Sequence, residues 1–192
     1  MSQDLLIVGI GNVFLGDDGF GVEVVRRLAS QPLPGGVRVA DFGTRGLHLA
    51  FELLDRPEAT TILVDATQRG GDPGTVYLIE PDLGQLADLA APGAGGMADA
   101  HAMTPEAVFS LLRSLGGTPG RVLIVGCEPL RCEEEMGLSP PVELAVGEAT
   151  KLILEVVARE QGKRRQLEER EQGGQGGQGN EVERLHHGGD HA

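Results

Sequence analysis

The chain has 192 residues, a length that suits one domain of ordinary size built around one core. Hydrophobic residues make up 40% of it and aromatic residues only 3%, so the sequence predicts an aliphatic core. The formal net charge of −13 opposes attraction to phosphate groups and argues against a nucleic acid or a membrane surface as partner. The N-terminal apolar run lacks a basic flank and is too short to span a bilayer, so we expect a cytoplasmic protein.

Strand-like and helix-like patterns alternate along most of the chain. Short runs rich in Val, Ile and Leu predict buried strands, and apolar residues at helical spacing predict the helices between them. In chain order these are strand Leu5–Ile10, helix Phe20–Ser30, strand Val37–Ala40, helix Gly46–Leu54, strands Thr61–Asp65 and Thr75–Ile79, helix Thr104–Leu115, strand Arg121–Gly126 and helix Pro141–Arg159.

This alternation predicts an α/β fold with three layers, α-β-α, around a twisted and mostly parallel sheet. Thr61–Asp65 and Thr75–Ile79 have no helix between them, so one strand is expected to be antiparallel or to lie at an edge. The folded domain is predicted to cover residues 1–159. From residue 160 onward Gly, Gln and charged residues replace the apolar periodicity, which predicts a disordered tail over 160–192.

The first turn, "GIGNVFLGDDGFG", contains two adjacent acids. Gly9 and Gly11 begin a dinucleotide-binding fingerprint, but Phe14 occupies the position of its third glycine. Asp17 and Asp18 would also repel a pyrophosphate. Acids at the start of a helix are stabilised by the helix dipole, so simple capping is the structural alternative for this pair.

Other polar residues occur where predicted strands or loops end. Asp41 and Asp65 close two strands, and His101 lies shortly before a predicted helix. Because the carboxyl ends of parallel strands share one edge of a sheet, these residues and Asp18 are expected to approach one cleft. Carboxylates with an imidazole form a mixed oxygen and nitrogen set that suits Ni²⁺ or Zn²⁺, although any α/β protein has some strand-end aspartates.

Six segments, taken in order, resemble the hydrogenase maturation endopeptidases, which trim the large subunit of nickel–iron hydrogenases. They are "GIGNVFLGDDGFG", "DFGTRG", "VDATQRGGDPGTV", "DAHAMTP", "VGCEP" and "GLSPPVELAV", and they span about residues 4–158. The resemblance implies a mostly parallel sheet between helices, in agreement with the strand and helix pattern. It also implies removal of a short C-terminal peptide from the nickel-loaded large-subunit precursor.

The resemblance also implies roles for particular residues. By motif position, Asp18, Asp65 and His101 correspond to the metal-binding trio of the family. Asp41 matches another acid associated with activity, and Asp17 is expected to be a helix cap or a supporting neighbour. Nickel is the implied metal, carried by the substrate and shared with the enzyme, and no organic cofactor is implied.

Several alternatives stay open on the sequence alone. A bound metal or a carboxylate could activate water, as the frequent classification with aspartic peptidases suggests. A non-catalytic nickel-sensing or chaperone protein of hydrogenase assembly would use the same trio, and a phosphate-binding enzyme is a weaker alternative. We expect a monomer, and we expect the loop Asp82–Ala100 to contribute to the choice of substrate.

Overall fold

The computed structural model describes residues 5–57, 59–83 and 104–174. The chain divides into a compact unit, Met1–Val157, and a second unit, Ala158–Ala192. No helix of the described part is both long and apolar enough to cross a membrane. His101 and most of the loop Asp82–Ala100 lie outside the described residues.

Among the residues described, the first unit contains five strands, three complete α-helices and the first part of a fourth, which continues into the second unit. The strands are β1 (Leu5–Ile10), β2 (Val37–Gly43), β3 (Thr60–Ala66), β4 (Val76–Ile79) and β5 (Val122–Cys127). The α-helices are α1 (Phe20–Ala29), α2 (Gly46–Leu54), α3 (Pro105–Ser114) and α4 (Pro140–Gly174), and a single 3-10 turn, Gly16–Gly19, precedes α1. Thr104 caps α3, its hydroxyl accepting a hydrogen bond from the Ala107 N–H at 3.4 Å.

The strands form one sheet in the order β2-β1-β3-β5-β4. All neighbouring strands are parallel except β4, which pairs antiparallel with β5 at the edge. The prediction of a mostly parallel sheet with one antiparallel edge strand is therefore confirmed. Every residue of β1 and β5 is buried, whereas the edge strands β2 and β4 are mostly half-buried, as expected for a sheet covered on both faces.

Helices cover both faces of the sheet within the first unit. On one face, Phe20, Val24 and Leu28 of α1 join Val142 and Ile153 of α4 in a core with alternate residues of the strands. On the other face, α2 and α3 pack against the intervening strand residues through Leu49, Leu53, Val108, Phe109 and Leu112. Period-2 alternation along each strand thus divides the aliphatic core into two layers.

Two glycines allow α1 to lie unusually close to the sheet. A Cβ atom on Gly21 would overlap the backbone carbonyls of Val64 and Ile10, and one on Gly9 would overlap the Gly21 carbonyl. Gly11 has φ +123°, and a Cβ there would overlap the Asp18 carbonyl. The glycines that resemble a nucleotide fingerprint therefore serve close packing between the first strand, the turn and the helix.

The last helix extends beyond its predicted end. α4 continues to Gly174, so residues 160–174 are helical and the expectation of disorder from residue 160 is wrong for that segment. This part is rich in Lys, Arg, Glu and Gln, which are good helix formers, and Lys163 Nζ lies 3.0 Å from Glu160 Oε1, one turn away. The loss of apolar periodicity at residue 160 marks the end of core-facing residues and not the end of the helix.

Candidate active site at the carboxyl ends of the strands

The strand order creates a crevice between β1 and β3. From β1 the chain crosses to β2 on one side, and it then returns to β3 on the other side. The carboxyl ends of two strands whose connections leave in opposite directions form the usual ligand-binding crevice of open α/β sheets. Asp18 lies in the turn after β1 and Asp65 is the penultimate residue of β3, so the topology brings both acids to this crevice.

Asp18 and Asp65 are close enough to repel each other. Burial raises the pKa of the Asp65 carboxyl well above its usual range, and the charge of Asp18 adds to the rise. Burial also raises the pKa of Asp18, although the Asn12 N–H donates a hydrogen bond of 2.6 Å to its Oδ2. Asp65 is only 6% exposed. These two carboxyl groups therefore form a site where negative charge is concentrated and poorly solvated.

A cavity of about 270 Å³ opens beside Asp65. Its wall includes Arg69 in the loop after β3, and Thr104 and Glu106 at the start of α3. Glu106 contributes a further, smaller increase to the pKa of Asp65. This cavity extends from Asp65 to the start of α3. The predicted ligand His101 lies outside the described residues, so its role stays a prediction.

Asp17 has a different environment from its neighbour Asp18. Its side chain is fully buried and caps neither the 3-10 turn nor α1, so of the two expected roles, helix cap and supporting neighbour, the helix cap is wrong. The carboxylate instead accepts hydrogen bonds from the N–H groups of Leu130, Arg131 and Ser139 and from the Ser139 hydroxyl. Burial alone would raise the pKa of Asp17, but these hydrogen bonds outweigh burial and lower it.

Glu128 is a second buried carboxylate that carries several hydrogen bonds. It directly follows β5 and accepts from the N–H groups of Arg69 and Gly70 at 2.8 and 3.1 Å and from the Tyr77 hydroxyl at 2.9 Å. Burial would raise its pKa, but the hydrogen bonds from Arg69, Tyr77 and the neighbouring glycines lower it. Glu128 thus fixes the loop that follows Asp65, and Arg69 of this loop lines the cavity.

Asp41 does not join the Asp18–Asp65 pair. In the parallel register Asp41 aligns with Gly9, and Gly9 aligns with Val64, so Asp41 and Asp65 occupy opposite faces of the sheet. The Asp41 carboxylate lies 3.7 Å from the Arg26 guanidinium of α1. It lines a separate pocket of about 240 Å³ together with Asn12 and other residues of the first turn.

Cys132 lies next to the acid pair on the segment between β5 and α4. Burial raises the pKa of its thiol to about 11, and the charges of Asp18, Asp17 and Asp65 contribute to the rise. The thiol is nevertheless exposed at the surface, whereas Cys127 is buried. Cys132 therefore provides a chemical marker for the position of this segment relative to Asp18.

The acid pair suits a divalent cation in its chemistry. Two carboxylates that repel each other in a half-buried crevice gain most when a cation neutralises them, and carboxylate oxygens with an imidazole suit Ni²⁺. Within residues 5–57, 59–83 and 104–174, no group of three His, Cys, Asp or Glu side chains is arranged to hold a metal ion. Among the described residues, Asp18 and Asp65 are therefore the two candidate ligands for a cation at this site.

Sequence reasoning missed the supporting role of Glu128 and Ser139. The rule that selects Asp65, an acid at the carboxyl end of a buried strand, also applies to Glu128 in "VGCEP". Ser139 gives no comparable signal, because its partner Asp17 is 122 positions away in the chain. Only the folded chain shows that Asp17 and Ser139 are in contact.

Comparison with known proteins identifies relatives over most of the chain. The family model of hydrogenase maturation proteases matches residues 22–156. The hydrogenase expression/formation protein HupD of Rhodobacter capsulatus is 33% identical over 155 residues, which cover 78% of this chain and 70% of HupD. The hydrogenase 2 maturation protease of Escherichia coli is 30% identical over 162 residues, or 82% and 92% of the two chains.

The fold agrees with these relatives. The solved structure of the hydrogenase maturating endopeptidase HybD from E. coli superposes with a TM-score of 0.65 and 27% identity, covering 83% of this chain and 94% of HybD. The family match includes Asp41, Asp65 and His101, and the turn that carries Asp18 lies just before it. The chain belongs to the hydrogenase maturation protease family.

Proposed function

We propose that this protein is an endopeptidase that removes a short C-terminal peptide from the nickel-loaded large-subunit precursor of a nickel–iron hydrogenase. Family membership supports the peptidase reaction and the kind of substrate. The observation that carries the proposal is the meeting of Asp18 and Asp65 in the crevice between β1 and β3, where each carboxyl has a raised pKa. A nickel ion presented by the precursor would relieve the repulsion between them.

Asp18, Asp65 and His101 are the residues that we assign to nickel. Because the ion arrives with the substrate, the same residues would recognise the loaded precursor and place its scissile peptide bond in the crevice. A bound metal ion of this kind supplies Lewis-acid polarisation of a carbonyl or of a water molecule. The poorly solvated Asp65 is also suited to accept a proton from water, which is the aspartic-type route.

Asp41 is assigned a separate task in this proposal. Its position on the other face of the sheet, beside Arg26 and the first turn, suits contact with the precursor more than contact with the reacting bond. Replacing Asp41 by Asn should therefore raise KM for the precursor more than it lowers kcat. Equal losses in kcat and in kcat/KM, with KM unchanged, would contradict this assignment.

The remaining partner assignments follow from charge and composition. A net charge of −13 disfavours nucleic acids and anionic membranes, and we propose a cytoplasmic monomer that meets its substrate before hydrogenase assembly is complete.

Mass measurement of the precursor tests this function. The purified protein is incubated with the nickel-loaded cognate precursor and, as control, with its metal-free form. We expect a defined C-terminal loss from the nickel-loaded precursor alone. No loss from either form, with the protein folded and the precursor confirmed as cognate, would support a non-catalytic nickel-sensing or chaperone protein instead.

Single substitutions test the residue assignments in the same assay. Asp18→Ala, Asp65→Ala and His101→Ala should each abolish processing while the circular dichroism spectrum stays that of the wild type. Asp55→Ala is the matched control, because Asp55 is an exposed acid at the end of α2 and should be dispensable. Near-normal processing by all three site variants would exclude this acid pair and His101 as the active site.

A further inference from the structure

The fully buried Asp17 joins two parts of the chain that are more than a hundred residues apart. Its Oδ2 accepts from the N–H groups of Leu130 and Arg131 at 2.8 and 3.1 Å and from the Ser139 hydroxyl at 2.8 Å. Its Oδ1 accepts from the Ser139 N–H at 2.6 Å. One carboxylate thus holds both ends of the segment 130–139 against the turn after β1.

Backbone hydrogen bonds connect the same two segments in both directions. The Gly16 N–H donates to the Glu135 carbonyl at 2.7 Å, and the Glu135 N–H donates to the Phe14 carbonyl at 3.1 Å. The Asp17 N–H donates to the Arg131 carbonyl at 3.1 Å. Asp17 lies at the centre of this junction, so its removal would leave the two buried donors of Ser139 and the part-buried N–H groups of Leu130 and Arg131 without their acceptor.

All four partners of the Asp17 side chain are hydrogen-bond donors. An ionised carboxylate accepts from all of them, since it offers only acceptor sites. An Asn side chain would turn its NH₂ group, which is a donor, toward at least one of these N–H groups. Asn therefore could not replace the carboxylate. The site therefore requires a carboxylate, although this carboxylate has no exposed surface with which to touch a substrate.

We propose that Asp17 is a positioning residue that fixes Asp18 relative to Asp65 by joining the turn to the segment 130–139. The inference rests on the proposed function, because it concerns the geometry of the same acid pair. Asp17 and Asp18 are consecutive, so a shift of the turn moves the Asp18 carboxylate directly. Displacement of a reacting group by about 1 Å can lower a rate by about 100-fold.

Steady-state processing of the nickel-loaded precursor provides the first test. Asp17→Asn should lower kcat by about 100-fold, because the displaced Asp18 carboxylate no longer lies where the reaction requires it. Ser139→Ala removes one of the four hydrogen bonds and keeps the carboxylate, so it should lower kcat by only about fivefold. Equal kcat in all three proteins would overturn the proposal.

The thiol of Cys132 provides a second test that needs no precursor. In metal-free buffer, Asp17→Asn should increase the rate at which Ellman's reagent modifies Cys132, since the freed segment leaves the surrounding carboxylates. Cys127 should stay unreactive, because it is buried in the core. Modification of both thiols at similar rates would indicate general unfolding and would overturn a local positioning role.

A charge control separates displacement from the loss of one negative charge. Asp18→Asn removes the nearby charge that affects Cys132 most, but it leaves the hydrogen bonds of Asp17 intact. A faster reaction in Asp17→Asn than in Asp18→Asn supports the proposal, and a rate no faster than in Asp18→Asn overturns it. Faster modification of Cys132 without processing by the wild type would contradict the proposed function while leaving the positioning of the segment established.

Discussion

Asp17 and Asp18 are neighbours in the chain, yet their carboxyl groups have opposite pKa shifts. The pKa of Asp17 is lowered by four hydrogen bonds, whereas Asp18 accepts one from Asn12 and burial raises its pKa. Glu128 and Asp65 differ in the same way at the ends of β5 and β3. The hydrogen-bonded acids Asp17 and Glu128 fix the positions of loops. Asp18 and Asp65, whose pKa values are raised, are the candidates for metal binding and catalysis.

We predict that Asp65→Asn stabilises the metal-free protein at neutral pH while it abolishes processing. The pKa of folded Asp65 is raised, so ionising it costs folding free energy as the pH rises from about 3.9, the value for an unfolded chain, to the folded value. The gain in Tm over the wild type should therefore be present at pH 7 and should disappear below about pH 3.9. Thermal unfolding with a chelator present measures it, and an equal or lower Tm of the variant at pH 7 would contradict the prediction.

Glu128→Gln is predicted to have the opposite effect on stability. The folded pKa of Glu128 is lowered, so the stability it contributes is present above about pH 4.3, its unfolded value, and is lost as the pH falls through the folded value. The variant should have a lower Tm than the wild type at pH 7, and the difference should shrink in acid. Glu148→Gln, an exposed position on α4, is the control and should change Tm little at either pH.

Close packing of α1 against the sheet determines where the first turn lies. The helix approaches β1 and β3 so closely that Gly21 has no space for a methyl group between the carbonyls of Val64 and Ile10. Because the 3-10 turn with Asp18 leads directly into α1, the position of the helix also determines the position of this acid. The packing of α1 against the sheet therefore affects the geometry of the candidate active site.

Gly21→Ala should therefore lower both stability and processing. Overpacking of this kind typically costs about 1–3 kcal/mol, and displacement of α1 would move Asp18 away from Asp65. Gly147→Ala is the matched control, because a Cβ on this helical glycine would meet only the flexible Arg27 side chain, at 4.0 Å, and Ala should stabilise the helix by about 0.5–1 kcal/mol. Urea unfolding and precursor processing measure both effects, and a Gly21→Ala protein as stable as the wild type would show that the helix can shift freely.

At the scale of the whole molecule, the core closes within the unit Met1–Val157. The part of α4 after residue 159 is a charged helix, and the residues from 175 onward lie outside the described part. We predict that deletion of residues 160–192 leaves precursor processing at the wild-type rate. Mass spectrometry of the precursor measures this, with the full-length chain as control, and a rate more than about tenfold lower would show that this segment takes part in the reaction.

Most of the fold could be predicted because strand and helix periodicities are local. The predicted bounds of β1 and α2 are those of the structure, and the antiparallel edge strand β4 follows from the missing crossover helix before it. β2 is longer than predicted because "DFG" continues the extended backbone past Ala40. The end of α4 was missed because a charged segment can stay helical without a core-facing stripe.

The candidate site could be predicted only in part. The rule that acids at the carboxyl ends of parallel strands converge brings Asp18 and Asp65 together, but it also groups Asp41 with them. The strand register decides otherwise, since a shift of one position along a strand reverses the face on which a side chain lies. Register depends on which strands pair and on how their buried faces match, and the residues next to a single acid do not specify either.

The sequence by itself determined the fold class, the aliphatic core and the acids of the first turn and of β3, because each depends on composition or on short-range spacing. The six ordered segments also indicated the family. The tertiary structure alone decided which acids meet, which stay ionised and which loops they hold. Those properties arise from contacts such as Asp17–Ser139 and Glu128–Arg69, whose partners are 122 and 59 positions apart and become neighbours only when the chain folds.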